Sequence, residues 1–169
     1  MIKSSTSMKR GLAQVRHQWG ARRYDRALAE VDRLLQHWPD NPHLLTMRGN
    51  LIQLQENDEG PTLKDAKLAL QRAADLDEES PRTLIELGHF LYASEDDAKA
   101  AAKRFAKAIR LCKRLLKEAL MGQAKVLAEL ERRSEAVACL TEAYWLQSRN
   151  GKSAGGRAEE KILEQLEAL

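Results

Sequence analysis

An all-α protein is what the sequence predicts, and three observations carry that expectation. The 169 residues include 24 Ala and 26 Leu against only 14 Val, Ile and Thr together; the first two are strong helix formers, and the last three favour strands. Gly and Pro number 9 and 4, too few for turn-rich β folds, collagen or low-complexity disorder. Apolar and small residues also recur at helical spacing in four segments that align with one another, and repetition of this kind marks stacked architectures.

The aligned segments start at Tyr24, Leu63, Ala98 and Ser134. Ala27, Ala66, Ala101 and Ala136 fall in register, at intervals of 39, 35 and 35. Four residues on come Val31, Leu70, Phe105 and Leu140, and three further Leu34, Ala73, Ala108 and Ala143. Another three bring Leu76, Leu111 and Leu146, with His37 in the first copy. Steps of this size keep to one stripe of a helix.

Each of these helices is preceded by another. The first carries Leu12, Val15 and Trp19 and fits two registers one residue apart. The second opens at Asn41-Pro42 and carries Leu45, Gly49 and Ile52; the third opens at Ser80-Pro81 and carries Leu84, Leu87, Gly88 and Leu91. Asn or Ser followed by Pro supplies an N-cap and a proline at the first helical position. The fourth carries Leu120, Ala124 and Leu127. Gly49, Gly88 and Ala124 recur at one place, where a small residue lets a neighbouring helix approach despite a cost of about 1 kcal/mol for Gly against Ala. Copy two holds a polar insertion over 56–62. Copy three passes into copy four through Leu111–Leu116 without Pro or Gly, which leaves a turn and a single fused helix both open.

With these residues in register the chain resembles a tetratricopeptide repeat protein, whose 34-residue unit pairs a first helix bearing Gly or Ala with a second bearing Ala, a large apolar residue and Ala. The segment from Tyr24 through Ala27 and Trp38-Pro39 matches the second helix and its exit. The resemblance implies a right-handed α-solenoid of antiparallel helix pairs forming one domain over 1–169, with repeats at 8–41, 42–80, 81–116 and 117–148. After the break at Asn150–Gly156, residues 157–169 are expected to form a capping helix, with Ile162, Leu163, Leu166 and Leu169 on one side.

Several function classes are disfavoured. The N-terminus lacks an apolar signal region, and no stretch approaches the roughly 18 apolar residues of a membrane span. Cys112 and Cys139, 27 positions apart, match neither a zinc pattern nor a disulfide framework, so reduced thiols and a cytoplasmic location are expected. Gly151-Lys152-Ser153 has Leu146 where a phosphate loop needs its first Gly. His17, His37, His43 and His89 show no metal-ligand spacing, and no nucleophile setting is recognisable. The expectation is therefore no enzyme, no cofactor and no metal.

Charge is uneven beneath a net +3. Residues 1–41 carry 8 basic and 4 acidic side chains, 42–80 carry 4 and 8, and 81–116 carry 8 and 4. The run Lys99, Lys103, Arg104, Lys107, Arg110, Lys113 and Arg114 reads as the solvated face opposite Phe105 and Ala108. Nucleic acid is not the expected partner, because a continuous basic stripe with stacking aromatics is missing. It stands as the alternative, through this run and Arg22–Arg26.

What the resemblance implies instead is a concave face, lined by the first helices, that receives a peptide or helix of another protein. The corresponding positions are Leu12, Arg16 and Trp19; His43, Met47, Asn50 and Gln53; Arg82, Glu86, His89 and Tyr92; and Met121, Lys125 and Glu129. Members that clamp a C-terminal carboxylate pair use Lys and Asn, then Asn, then Lys and Arg. Here those places hold Leu12 and Arg16, then Met47, then Arg82 and Glu86, so that clamp is absent. The expected role is a scaffold for a cytoplasmic protein partner, such as an assembly factor or secretion-type chaperone, as a monomer or weak homodimer.

Overall fold

The computed structural model describes residues 2–55, 60–147 and 164, and every regular element among them is an α-helix. In order these are α1 (Ile2–Gly20), α2 (Tyr24–His37), α3 (Pro42–Ile52), α4 (Leu63–Leu76), α5 (Pro81–Ala93), α6 (Ala98–Glu129) and α7 (Arg133–Gln147). Residues 56–59 of the insertion and the capping helix expected over 157–169, save Glu164, lie outside the described residues. The chain divides into two compact units, residues 1–108 and 109–169.

In the first unit, α1 packs on α2, α2 on α3, α3 on α4 and α4 on α5, while α3 also meets α5. The repeat register becomes its core. Ala27, Val31, Leu34, Ala66, Leu70 and Ala73 have no exposed surface, and Ala101 and Ala108 are buried on the first part of α6. The end of the stripe departs from it, with Leu76 45% exposed at the end of α4 and His37 exposed at the matching place on α2. The glycines fit their role as points of close approach. A Cβ at Gly49 would lie 2.5 Å from Leu70 Cγ, and one at Gly88 would lie 2.9 Å from Phe105 Cε1. On α1 the buried positions are Gly11, Val15 and Gln18, which fixes the register that the sequence left open.

Local signals place the helix starts. Asn41 Oδ1 accepts the Leu44 amide at 3.1 Å, with Pro42 at the first helical position. At α4, Asp65 Oδ2 accepts from both the amide and the hydroxyl of Thr62 at 2.8 Å. Those two hydrogen bonds, the amide foremost, hold the Asp65 carboxyl below its ordinary pKa. Asp97 caps α6 by accepting the Ala100 amide at 2.9 Å.

Three tight turns share a backbone device that the sequence did not announce. Arg22, Asp96 and Glu131, just after α1, α5 and α6, adopt φ of 56°, 53° and 61°. The next amide then bonds back to the helix end, as in Arg23 N to Gln18 O and Arg132 N to Leu127 O, both 2.9 Å, closing the last turn in the manner of a Schellman motif. A side chain in this left-handed region costs about 1–2 kcal/mol. Glu131→Gly is therefore expected to raise unfolding stability by about 1 kcal/mol, read by urea denaturation, because Gly adopts this φ freely.

The second unit is built on Ala124, Leu127, Ala136 and Leu140, with Met121, Ala128, Val137 and Cys139 packed around them. Here one of the two open readings is resolved. No turn forms at Leu111–Leu116; α6 runs unbroken through 98–129. Where the first two copies have Asn41-Pro42 and Ser80-Pro81, the third has Leu115-Leu116. Without a cap, a proline or a glycine, nothing stops a helix of Ala, Leu, Lys and Arg. The first helix expected for copy four is thus the second half of α6, where Ala124 and Leu127 pack with Ala136 and Leu140 of α7 and Leu120 of the same stripe is buried.

Candidate functional site

The first helices of the first unit, α1, α3 and α5, carry ten of the fourteen positions expected to meet a partner, and Gln53 follows directly at the C-cap of α3. Their surroundings differ. Arg16, His43, Arg82, His89 and Tyr92 are exposed, Tyr92 by 61%. Leu12, Trp19, Asn50, Gln53 and Glu86 are half-buried. Met47 is only 7% exposed, so it offers core packing and little contact surface. Met121 is half-buried in the core of the second unit, where Lys125 and Glu129 are exposed.

His43 and Arg82 each follow the helix-opening proline, at matching places on α3 and α5, and Arg16 lies on α1. The imidazole of His43 is pushed below its ordinary pKa of 6.5 by partial burial first, then by the positive charges of Arg82 and Arg16. Three successive first helices thus bring three basic groups within electrostatic reach. None of the three forms an ion pair with a carboxylate among the described residues. The carboxylate of Glu86 accepts instead from Asn50 Nδ2 at 3.0 Å, tying α5 to α3. The His89 ring stands edge-on to Phe105 with centroids 5.1 Å apart.

Other cations on α3, α4 and α6 are differently placed. Arg48 meets Asp32 at 2.8 Å, Lys67 meets Glu95 at 2.7 Å, Lys107 meets Glu78 at 3.6 Å, and Arg72 meets Asp40. Arg104 donates to Gln71 at 3.4 Å. The basic run on α6 is therefore partly engaged within its own fold. Arg22, Arg23 and Arg26 line a pocket of about 440 Å³ beside Tyr24 and Leu54, and within it Gln55 donates to Asp25 at 2.7 Å.

Among the described residues no group of three or more His, Cys, Asp or Glu is placed to hold a metal ion. Both cysteines are free thiols, Cys112 exposed and Cys139 half-buried. No described helix is long and apolar enough to cross a membrane. The spacing of the sequence located α1, α3 and α5, but it did not reveal that the charges of Arg16 and Arg82 bear on His43, because that depends on how the helices pack.

No family model matches the chain, and no curated protein matches it. Among solved structures, one titled as the crystal structure of MamA is similar at 21% identity, covering 90% of this chain and 82% of that one with a TM-score of 0.47.

Proposed function

We propose that this chain is a protein-interaction scaffold that receives an acidic segment of a partner along α1, α3 and α5 of its first unit. The observation that carries this reading is the basic trio Arg16, His43 and Arg82, which lacks carboxylate partners among the described residues, while Arg48, Lys67, Arg72 and Lys107 elsewhere in the first unit are paired. Like charges gathered without counter-charge favour an anionic ligand, and they speed its encounter. Exposed Tyr92 and half-buried Trp19 add aromatic anchors of the kind that dominate binding energies. An assembly factor or secretion-type chaperone in the cytoplasm would use such a face. Nucleic acid is the weaker reading, since Arg104 and Lys107 of the α6 run already have partners.

The test is an array of acidic, neutral and basic twelve-residue peptides read by fluorescence anisotropy. Acidic peptides are expected to bind best, and Arg16→Glu with Arg82→Glu should weaken them by about tenfold or more. Arg72→Glu, on the paired outer set, should change little. An anion beside His43 opposes the two guanidinium charges and raises its pKa, so binding should tighten as pH falls from 7 toward about 5. His43→Gln should remove that dependence. The ligand-free fold has the opposite sign: a lowered histidine pKa adds stability above pH 6.5 that is lost as pH falls through the lowered value. Equal binding of all peptides, or an unchanged affinity in the charge-reversed variant, would contradict the proposal.

A further inference from the structure

The turn between α1 and α2 gathers cations that the fold itself does not use. Arg22, Arg23 and Arg26 wall the pocket of about 440 Å³ together with Tyr24, Asp25, Leu54 and Gln55, a volume within the roughly 300–1,000 Å³ of small-molecule sites. All three arginines are exposed, and none forms an ion pair among the described residues. Their backbone is fixed: Arg22 stands at φ 56°, and the amides of Arg22 and Arg23 bond back to Trp19 O and Gln18 O at 2.9 Å. The amides of Tyr24, Asp25 and Arg26 open the 14-residue α2 without a backbone acceptor, and Arg23 at the N-cap supplies no side-chain bond. Two acceptors complete the wall. Asp25 Oδ1 takes the Gln55 amide at 2.7 Å, while Gln55 Oε1 is buried without a partner.

We infer that this pocket binds a small phosphate monoester whose organic part carries hydroxyl groups, such as a sugar phosphate. Three arginines against one aspartate leave the lining with two net positive charges. A monoester carries about −1.5 to −2 at neutral pH and neutralises them, whereas a carboxylate or a phosphodiester brings a single charge. Guanidinium forks bond phosphate oxygens in pairs, and free amides at a helix start favour the same charge. The acceptors select the rest of the ligand. A buried oxygen left without a donor is costly, and a bare anion would bring no carbon-borne donor to Gln55 while lying beside the Asp25 carboxylate. Hydroxyl groups donate to both. Tyr24 and Leu54 then offer apolar surface to the carbon skeleton. The acidic segment expected along α1, α3 and α5 relies on carboxylates alone, so the two sites take different chemistry.

Isothermal titration calorimetry of the full chain with ribose 5-phosphate, inorganic phosphate and ribose tests this. Ribose 5-phosphate should bind at least about tenfold more tightly than inorganic phosphate, and ribose alone should give no signal. Arg23→Gln with Arg26→Gln should weaken the ester by about tenfold or more without lowering the urea midpoint, since neither side chain has an ion pair to lose. Gln55→Leu should bring ribose 5-phosphate down to the level of inorganic phosphate. Arg16→Glu with Arg82→Glu should change its affinity by less than about twofold, so loss of peptide binding leaves this result standing. An ester that is lost in that last variant overturns the inference, as do equal affinities for ester and inorganic phosphate, indifference to the Arg23 and Arg26 changes, or no binding. Tighter binding of an RNA oligonucleotide without a terminal phosphate also overturns it. So does binding that appears only once Glu56–Glu59 are replaced by Gly and Ser, because the pocket would then serve that acidic stretch.

Discussion

Lys113→Pro is expected to destabilise the protein by about 3 kcal/mol or more, with a visible loss of helical circular dichroism. Lys113 is exposed, in the middle of α6, and it occupies the place in the third repeat that Pro39 holds in the first. In a continuous helix the pyrrolidine ring removes one backbone hydrogen bond, strikes the carbonyl four residues back and pushes Cys112 away from helical angles. At a real inter-repeat turn the same proline would be accommodated, as Pro39 is. Lys113→Ala controls for loss of the side chain and should be neutral or slightly stabilising. A proline variant as stable as the parent would show that the chain breaks between the third and fourth copies after all.

The second large effect is at the crossing of α3 and α4. Leu70→Ala removes a fully buried side chain and should cost about 2–5 kcal/mol. Gly49→Ala should cost about 1–3 kcal/mol, although Ala is the better helix former by about 1 kcal/mol. The new methyl group would lie 2.5 Å from Leu70 Cγ and 3.1 Å from the Ala66 carbonyl oxygen, so the helix cannot retreat by a side-chain shift alone. In the Leu70→Ala background the chief obstacle is gone, and Gly49→Ala should become much less costly. A double-mutant cycle in urea should therefore show coupling of about 1 kcal/mol or more. Gly122→Ala is the contrast, since nothing lies within 4 Å of the added methyl group and the change should stabilise by up to about 1 kcal/mol. Additive effects at Gly49 and Leu70 would mean that this crossing is looser than its distances indicate.

These residues also show what the sequence can convey. Gly49, Gly88 and the alanine register are legible because burial on a helix repeats every three or four residues, and the buried core follows that register closely. The fused α6 was visible only as a missing signal, the absence of a breaker at Leu111–Leu116. The turns at Arg22, Asp96 and Glu131 were not visible, because none of these residues is a glycine that would advertise a positive φ. For the candidate site, spacing identified which positions lie on α1, α3 and α5. It did not show that Met47 sinks into the core, that Asn50 holds Glu86, or that Arg16 and Arg82 bear on His43. Each of those depends on how neighbouring helices pack, which local periodicity does not encode.

The most direct measurement of the functional account is a backbone and histidine nuclear magnetic resonance titration with the best acidic peptide from the array. Shift changes are expected to concentrate on the exposed positions of α1, α3 and α5, around Arg16, His43, Arg82 and Tyr92, with the His43 pKa rising on saturation. Shifts confined to α2 and α4 or to the Arg22–Arg26 pocket, with the His43 titration unmoved, would contradict it.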